Sequence, residues 1–203
     1  MRGDKIILKA VLSTLAAIAA LFLLLFSALA IFFPSTMMKF TYDLGMEDAS
    51  LHFAERAYER SDEIYFVAFA TQVAIVAEDF KEIDVYGEKF IKDKKFSEYC
   101  EEKDEAFNAQ SGSYRRYVYG QICVAKYKKG KAEKAIARAV ELNGGTFVEG
   151  NPISAVLHVA LQKQDKTTVQ EILNVLKTFD KTGTGVDGQV LDRTISLAEQ
   201  GIK

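Results

Sequence analysis

The chain has 203 residues, with 26 basic and 28 acidic side chains and a formal net charge of −2. Nucleic-acid binding normally requires a basic stripe, so this balance excludes nucleic acid as the expected partner. With two prolines and no tryptophan, and with Ala, Leu, Glu and Lys abundant, the composition predicts an all-α fold.

An uncharged apolar run extends from Ala10 to Phe33. At about 1.5 Å rise per residue its 24 residues reach roughly 36 Å, enough to cross a hydrocarbon core of about 30 Å. A cleaved signal peptide is the alternative, because residues 28–30 (Ala-Leu-Ala) offer a small-x-small cleavage site. The run continues through Ile31 to Phe33, which a cleaved segment does not require. The length therefore favours a retained transmembrane helix over residues 10–33 in contact with the lipid bilayer.

The charged flanks of this run predict its orientation. Arg2, Lys5 and Lys9 precede it, whereas mainly acidic residues follow it. Lys and Arg are retained on the cytoplasmic side of a membrane. We therefore expect a single-pass protein of a bacterial plasma membrane, with residues 1–9 as a short cytoplasmic N-terminus and an extracytoplasmic C-terminal domain. The inverted orientation is the alternative.

Beyond the run, Pro34 begins a break that we interpret as a linker over residues 34–43. Residues 44–203 have the length of a single domain. The charge-dense stretch 93–105 is interpreted as a solvated helix face or a long connection, and residues 108–113 as a break. Apolar residues near a 3.6-residue period predict helices over the following segments: 46–60, 63–78, 80–91, 114–128, 131–143, 152–161, 169–179 and 189–200.

The two cysteines, Cys100 and Cys123, do not have the paired short spacings of a metal site. We interpret them as small buried apolar residues. A single disulfide between them is the alternative for an exported domain.

The two predicted helices on either side of Gly130 combine small and aromatic residues. The first helix carries Tyr119-Gly120 and then Tyr127, and the second carries Ala135-Ile136, Ala139 and Leu142-Asn143. This segment resembles a tetratricopeptide (TPR) repeat. A weaker likeness follows at Phe69-Ala70, Val73, Phe80, Ile83 and Phe90, and residues 44–57 resemble a lone second helix of such a repeat.

The resemblance implies a TPR-like α-solenoid of stacked helical hairpins over residues 44–203. In that family the concave face binds peptides or helices of partner proteins, without catalysis and without a cofactor. The first helix of each pair lines this groove, so the resemblance implies that Tyr65, Tyr114, Arg115 and Tyr117 are groove positions. The expected role is a membrane-anchored scaffold or accessory subunit for a membrane-associated or exported protein partner.

No arrangement typical of an enzyme is found in the sequence. His52 and His158 are not part of an HExxH zinc pair, and neither a GxSxG elbow nor a phosphate-binding GxxxxGK[ST] loop occurs. We therefore predict no catalytic residue, no metal ligand and no cofactor.

Two other functions remain as alternatives. Residues 178–193 are similar to a calcium-binding EF-hand loop, with Asp180 at the first position, Gly185 at the sixth and Leu191 replacing the glutamate at the twelfth. A flexible loop is the favoured interpretation, and a helical ligand- or ion-binding domain with a site in residues 150–203 is the alternative. Small residues four apart in the apolar run, such as Ala16 and Ala20, permit close helix packing, so a self-associating structural membrane protein is a further alternative.

Overall fold

The computed structural model describes the backbone of residues 2–142, 147–179 and 186–203, and the side chains of residues 9, 11–142, 147–179 and 188–203. These residues form eleven helices and no strand, which confirms the all-α prediction. The helices are α1 (Arg2–Phe32), α2 (Pro34–Asp43), α3 (Glu47–Ser61), α4 (Ile64–Val76), α5 (Phe80–Ile91), α6 (Phe96–Ala106), α7 (Ser113–Lys128), α8 (Ala132–Leu142), α9 (Pro152–Gln162), α10 (Lys166–Leu176) and α11 (Val186–Ile202).

Two helices, α2 and α6, lie in segments that the sequence analysis interpreted as a linker and as either a solvated helix face or a long connection. Residues 34–43, interpreted as a linker, form α2, because a proline is well tolerated in the first turn of a helix and Met37 and Met38 are buried. The charge-dense stretch contains α6, whose Phe96, Cys100 and Asp104 are buried at four-residue spacing. Tertiary packing of one helix face therefore outweighs the polar character of both segments.

The chain divides into two compact units, Met1–Phe66 and Val67–Lys203, and α4 begins in the first and ends in the second. In the first unit α2 packs against α3. The Ser50 hydroxyl of α3 donates a hydrogen bond to the carbonyl oxygen of Met38 at 3.1 Å. Helix α1 contains a span, Val11–Phe32, with a mean hydropathy of 2.8 and no part buried within the described residues. Its length and composition suit a membrane anchor or a signal sequence.

In the second unit the helices pack in an order that follows the sequence. Helix α7 contacts α5, α6, α8 and α9, and α9 in turn contacts α8, α10 and α11. The core of this unit is formed mainly by α8 to α11 and includes the fully buried Ile153, Val156, Ile172 and Leu176. Asp165 caps α10 by accepting hydrogen bonds from the backbone and hydroxyl of Thr168, and it also accepts one from the Tyr127 hydroxyl at 2.9 Å.

Two glycines on helices allow neighbouring helices to approach closely. A Cβ atom at Gly87 of α5 would lie 2.6 Å from Cγ1 of Ile122, a fully buried side chain of α7. A Cβ atom at Gly120 of α7 would lie 3.3 Å from the Cβ of Ala155 in α9. Small side chains at these positions therefore set the distance of α7 from both neighbours.

Four helix connections repeat one backbone geometry, namely α2–α3, α4–α5, α7–α8 and α9–α10. Each contains one residue with a positive φ, whose N–H donates to the carbonyl three residues earlier; these residues are Gly45, Glu78, Gly130 and Gln164. The next N–H donates to the carbonyl five residues earlier, as from Asp165 to Ala160 at 2.9 Å. Such capping bonds satisfy carbonyls that the helix end leaves without an intrahelical donor.

The positive-φ residues also recur at regular intervals. The interval from Gly45 to Glu78 and the interval from Gly130 to Gln164 differ in length by a single residue. The interval from Glu78 to Gly130 is longer because α6 is inserted there. Helix α6 ends with the same cap at Asn108, but a further positive φ at Gly112 precedes α7. The chain thus repeats a helical hairpin, with one additional helix between its second and third copies.

The recurring cap predicts opposite effects of two substitutions. No atom lies within 4 Å of a Cβ at Gly130, so Gly130→Ala should destabilise by about 1–2 kcal/mol through its left-handed backbone alone. Gln164→Gly should remove the same strain and be neutral or stabilising by up to about 1 kcal/mol. Chemical unfolding of the full chain in detergent, followed by circular dichroism, measures both effects. Lys131→Ala, at the exposed neighbouring residue, is the control, and an equal loss for Gly130→Ala and Lys131→Ala would contradict the assigned cause.

Candidate partner-binding surface

The repeated connection gives a register for comparing the first helices of the hairpins. Tyr65 lies as far before Glu78 along the chain as Tyr117 lies before Gly130. The two tyrosines therefore occupy the same position of their hairpins, one in each compact unit. Both side chains are exposed, at 42% and 40%. Two of the four residues predicted as groove positions are thus equivalent by backbone geometry.

Further residues follow Tyr117 along the same face of α7. Gln121, Val124 and Lys128 lie four, seven and eleven residues later, the spacing of one helix face. In the next hairpin, the residues of α9 in the same register relative to the positive-φ position are Ala155, His158 and Gln162. All of these side chains are exposed or half-buried. We call these seven residues of the second unit the first-helix stripe: Tyr117, Gln121, Val124, Lys128, Ala155, His158 and Gln162.

The first-helix stripe has a distinct chemical character. None of its residues is acidic, and it combines aromatic, aliphatic, amide and imidazole groups. His158 Nε2 and Gln162 Nε2 lie 3.0 Å apart, within hydrogen-bond distance. Lys128, the single charged residue of the stripe, places Nζ 5.5 Å from the centre of the Phe80 ring. The contact of α7 with α9 brings the two halves of the stripe next to each other.

Tyr114 and Arg115 have different surroundings from Tyr65 and Tyr117. Tyr114 is half-buried, with ring centroids 6.2 Å from Tyr99 and 6.3 Å from Tyr117, and burial raises the pKa of its hydroxyl. The Arg115 guanidinium lies 3.7 Å from a carboxylate oxygen of Glu101, and its Nε is buried without a hydrogen-bond partner. Both side chains therefore contact α6, and Tyr114 also contacts Tyr117 of the stripe.

A buried carboxylate positions the start of α7. Asp104 of α6 is buried and accepts hydrogen bonds from the backbone N–H groups of Gly112, at 2.6 Å, and Tyr114, at 2.9 Å. A negative charge is stabilised at a helix N-terminus, where N–H groups lack intrahelical acceptors. The sequence analysis assigned Asp104 to the solvated, charge-dense stretch 93–105 and did not predict this role. The sequence feature that could have indicated its burial is the spacing of Asp104 from Cys100 and Phe96, four and eight residues, which places all three on one helix face.

An ionic cluster joins α5, α7 and α8 at the other end of α7. It consists of Asp84, Glu88, Lys126, Lys129 and Arg138, whose side chains are 16–25% exposed. The Lys126 ammonium contacts Asp84 and lies 3.1 Å from Glu88, and the Lys129 ammonium lies 2.6 Å from Asp84. Arg138 binds both oxygens of Glu88, at 2.7 and 3.0 Å. A bidentate contact of this kind fixes orientation as well as distance.

The cluster changes the ionisation of its members. Burial opposes the charge on Asp84, but hydrogen bonds and charges from Lys126 and Lys129 outweigh it and hold the pKa of the carboxyl below its ordinary value. Burial likewise opposes the charge on Lys126, and bonds to Asp84 and Glu88 raise the pKa of its ammonium despite it. Asp84 and Lys126 therefore remain ionised at neutral pH. Sequence reasoning missed this cluster, because its bonded partners on α5 lie about 40 to 50 residues away along the chain.

Both cysteines are free and fully buried, which confirms their interpretation as small apolar residues. Burial raises the pKa of the Cys100 thiol to about 11 and that of Cys123 to about 12. Both thiols are therefore protonated at neutral pH. A protonated, buried thiol is a poor nucleophile and a poor metal ligand.

The EF-hand-like segment is only partly covered by the structure. Asp180 and Gly185 lie outside the described residues. Leu191, at the position of the bidentate glutamate, is 2% exposed and belongs to the core of the second unit. The Leu191 side chain therefore packs α11 against the core of the second unit.

Asp84→Asn should lower the stability of the protein at neutral pH by about 1–3 kcal/mol, because two ammonium groups lose a charged partner. The depressed pKa of Asp84 means that its stabilisation is present above the ordinary value of 3.8 and is lost as the pH falls through the lower folded value. The difference between wild type and variant should therefore shrink below about pH 4. Urea unfolding from pH 3 to 7 measures this, with the exposed Glu102→Gln as control. A difference that does not depend on pH would rule out the ionic origin.

Comparisons of the chain with protein-family models, with curated proteins and with solved structures gave no match. The repeated hairpin and the first-helix stripe are therefore the observations on which a functional assignment rests. Both are properties of this chain's own geometry.

Proposed function

We propose that the chain is a membrane-anchored scaffold or accessory subunit that binds a protein partner along the first-helix stripe of a TPR-like solenoid. The single observation that carries this proposal is the repeated hairpin. A TPR unit is a helix–turn–helix of about 34 residues. The intervals from Gly45 to Glu78 and from Gly130 to Gln164, which join equivalent positive-φ positions, agree with that period.

The packing order supports a solenoid in the second unit. Helix α5 contacts α7, α7 contacts α9, and α8 contacts both α9 and α10, so each hairpin meets the next one along the chain. Solenoids are built from such nearest-neighbour contacts, and they end in a helix that covers the last repeat. Helix α11, which packs on α10 and α9, fits that capping role.

The composition of the stripe indicates the kind of partner. A surface without acidic residues, carrying Tyr117, Val124 and His158, favours an apolar or aromatic face of a helix or peptide over a strongly basic one.

The membrane assignment rests on α1. Its apolar span is long enough to cross a bilayer, and none of it is buried among the described residues. The basic residues Arg2, Lys5 and Lys9 favour a cytoplasmic N-terminus, which would place the repeats outside the plasma membrane. An anchor keeps the stripe near membrane-associated or newly exported partners, so weak contacts become effective through local concentration.

Photo-crosslinking tests the binding surface. A photoreactive amino acid at Tyr117, Val124 or His158 of the full chain, in its native membrane, should give discrete adducts with the same partner. The controls are Val85 of α5, which is 50% exposed, and the exposed Lys134 of α8. Tyr117→Ala should reduce the His158 adduct several-fold, because both residues contact one ligand. Equal adducts from the control positions would contradict the proposed surface.

Protease accessibility tests the anchor and its orientation. With protease added outside intact cells, the segment beyond Pro34 should be degraded, while an epitope fused ahead of residue 2 stays protected and remains in the membrane fraction. Degradation of the epitope together with protection of the segment beyond Pro34 until lysis would reverse the orientation. A mature chain that begins after residue 30 would identify α1 as a cleaved signal sequence.

A further inference from the structure

The exposed apolar surface of the first unit does not end with α1. Phe32 and Phe33, at the end of α1, are exposed by 68% and 56%. Beyond them Phe40, Leu44 and Met46 are exposed by 49%, 59% and 49%. Soluble surfaces rarely carry a contiguous apolar patch of this kind unless it meets a partner or a membrane.

Helix α2 carries three different faces. Pro34, Met38 and Thr41 are buried, and Met38 takes part in the contact with α3. A second face, with Ser35, Lys39 and Asp43 four residues apart, is polar. The third face is apolar and is formed by the exposed Phe33, Phe40 and Leu44, of which Phe33 and Leu44 flank the helix; Met37, which lies between them, is buried.

The apolar face of α2 meets the side of α1 across a groove. The groove has a volume of about 400 Å³. It is lined by Phe22, Phe26 and Leu29 of α1 and by Thr36, Met37 and Phe40 of α2. Among the lining side chains of α2, only the Thr36 hydroxyl is polar.

We propose that α2 lies in the interface of the bilayer that α1 crosses, and that an acyl chain of a phospholipid fills the groove between α1 and α2. The proposal rests on the proposed retention of α1 as an anchor. Phe22, Phe26 and Leu29 belong to the apolar span, so a groove that they line opens into the hydrocarbon region.

The chemistry of the groove selects a lipid over a peptide. An extended peptide would bury backbone N–H and carbonyl groups against a wall that offers almost no hydrogen-bond partner. A hydrocarbon chain has no such groups and can bend to the shape of the groove. The polar face of α2 agrees with this placement, because Lys39 can reach the phosphate level while the apolar face of its helix stays below.

The chain contains no tryptophan, which makes single-tryptophan variants direct depth probes. We would reconstitute full-length Phe26→Trp, Phe40→Trp and Phe107→Trp in phosphatidylcholine vesicles whose acyl chains are brominated at carbons 6 and 7. Phe107 is 75% exposed in the second unit and is the unquenched reference. Phe40→Trp should be quenched at least half as strongly as Phe26→Trp, and Phe107→Trp should not be quenched. Leu44→Trp, on the same face of α2, gives a second reporter should Phe40→Trp fold poorly.

The outcomes separate this inference from the proposed anchor. Quenching of Phe26→Trp without quenching of Phe40→Trp and Leu44→Trp would overturn the interfacial position of α2 and leave the anchor intact. Loss of quenching in all variants would overturn the anchor itself. If Thr36→Cys formed a disulfide between copies in the same vesicles, a second copy rather than a lipid would fill the groove.

Discussion

The fold depends on how each first helix of a hairpin ends. Its last carbonyls need donors, and a residue with positive φ turns two backbone N–H groups back onto them. The next helix then begins within one or two residues and returns along the first. Because this geometry recurs at Gly45, Glu78, Gly130 and Gln164, the backbone reverses direction in the same way at each of these connections, and packing then holds the paired helices together. Non-glycine residues at two of these positions show that the packing tolerates some local strain.

Within the second unit, α7 is the helix that contacts α5, α6, α8 and α9. At its start, Asp104 satisfies N–H groups that would otherwise be unpaired, and at its end Lys126 and Lys129 bind Asp84 and Glu88 of α5. Between these ends, Gly120 permits close approach to α9. A partly buried ion pair contributes modest net stability, since desolvation offsets much of the attraction. Its directional bonds instead select one register of α7 against α5, and this register determines where Tyr117 and Val124 face.

Local pattern was sufficient to predict most helices, because their apolar faces recur at a 3.6-residue period that needs no knowledge of the partner. It did not predict α2, which was interpreted as a linker, and it left the α6 segment open between a solvated helix face and a long connection. Both helices bury apolar side chains, namely Met37, Met38, Phe96 and Cys100. The groove positions stay a prediction, and the structure places the four side chains in two different kinds of surroundings. Tyr65 and Tyr117 are at equivalent exposed positions, whereas Tyr114 and Arg115 pack towards the unexpected α6. The ionic cluster could not be predicted from local sequence, because each of its residues has the pattern of an ordinary solvated charge. The residues become partners only through the packing of α5 with α7 and α8.

Under the proposed function, an anchored scaffold benefits when the segment that follows its anchor moves little. The first hairpin, which begins with α2, is that segment. Helix α2 follows α1 after a single residue, and it packs on both α1 and α3. A flexible linker in the same place would leave the first hairpin free to tumble, and the local concentration of its surface would be spread over a larger volume. A helix that rests in the interface restricts that motion without any direct contact with the partner. Under the proposed function, α2 therefore contributes to binding by restricting the motion of the first hairpin and not by contacting the partner.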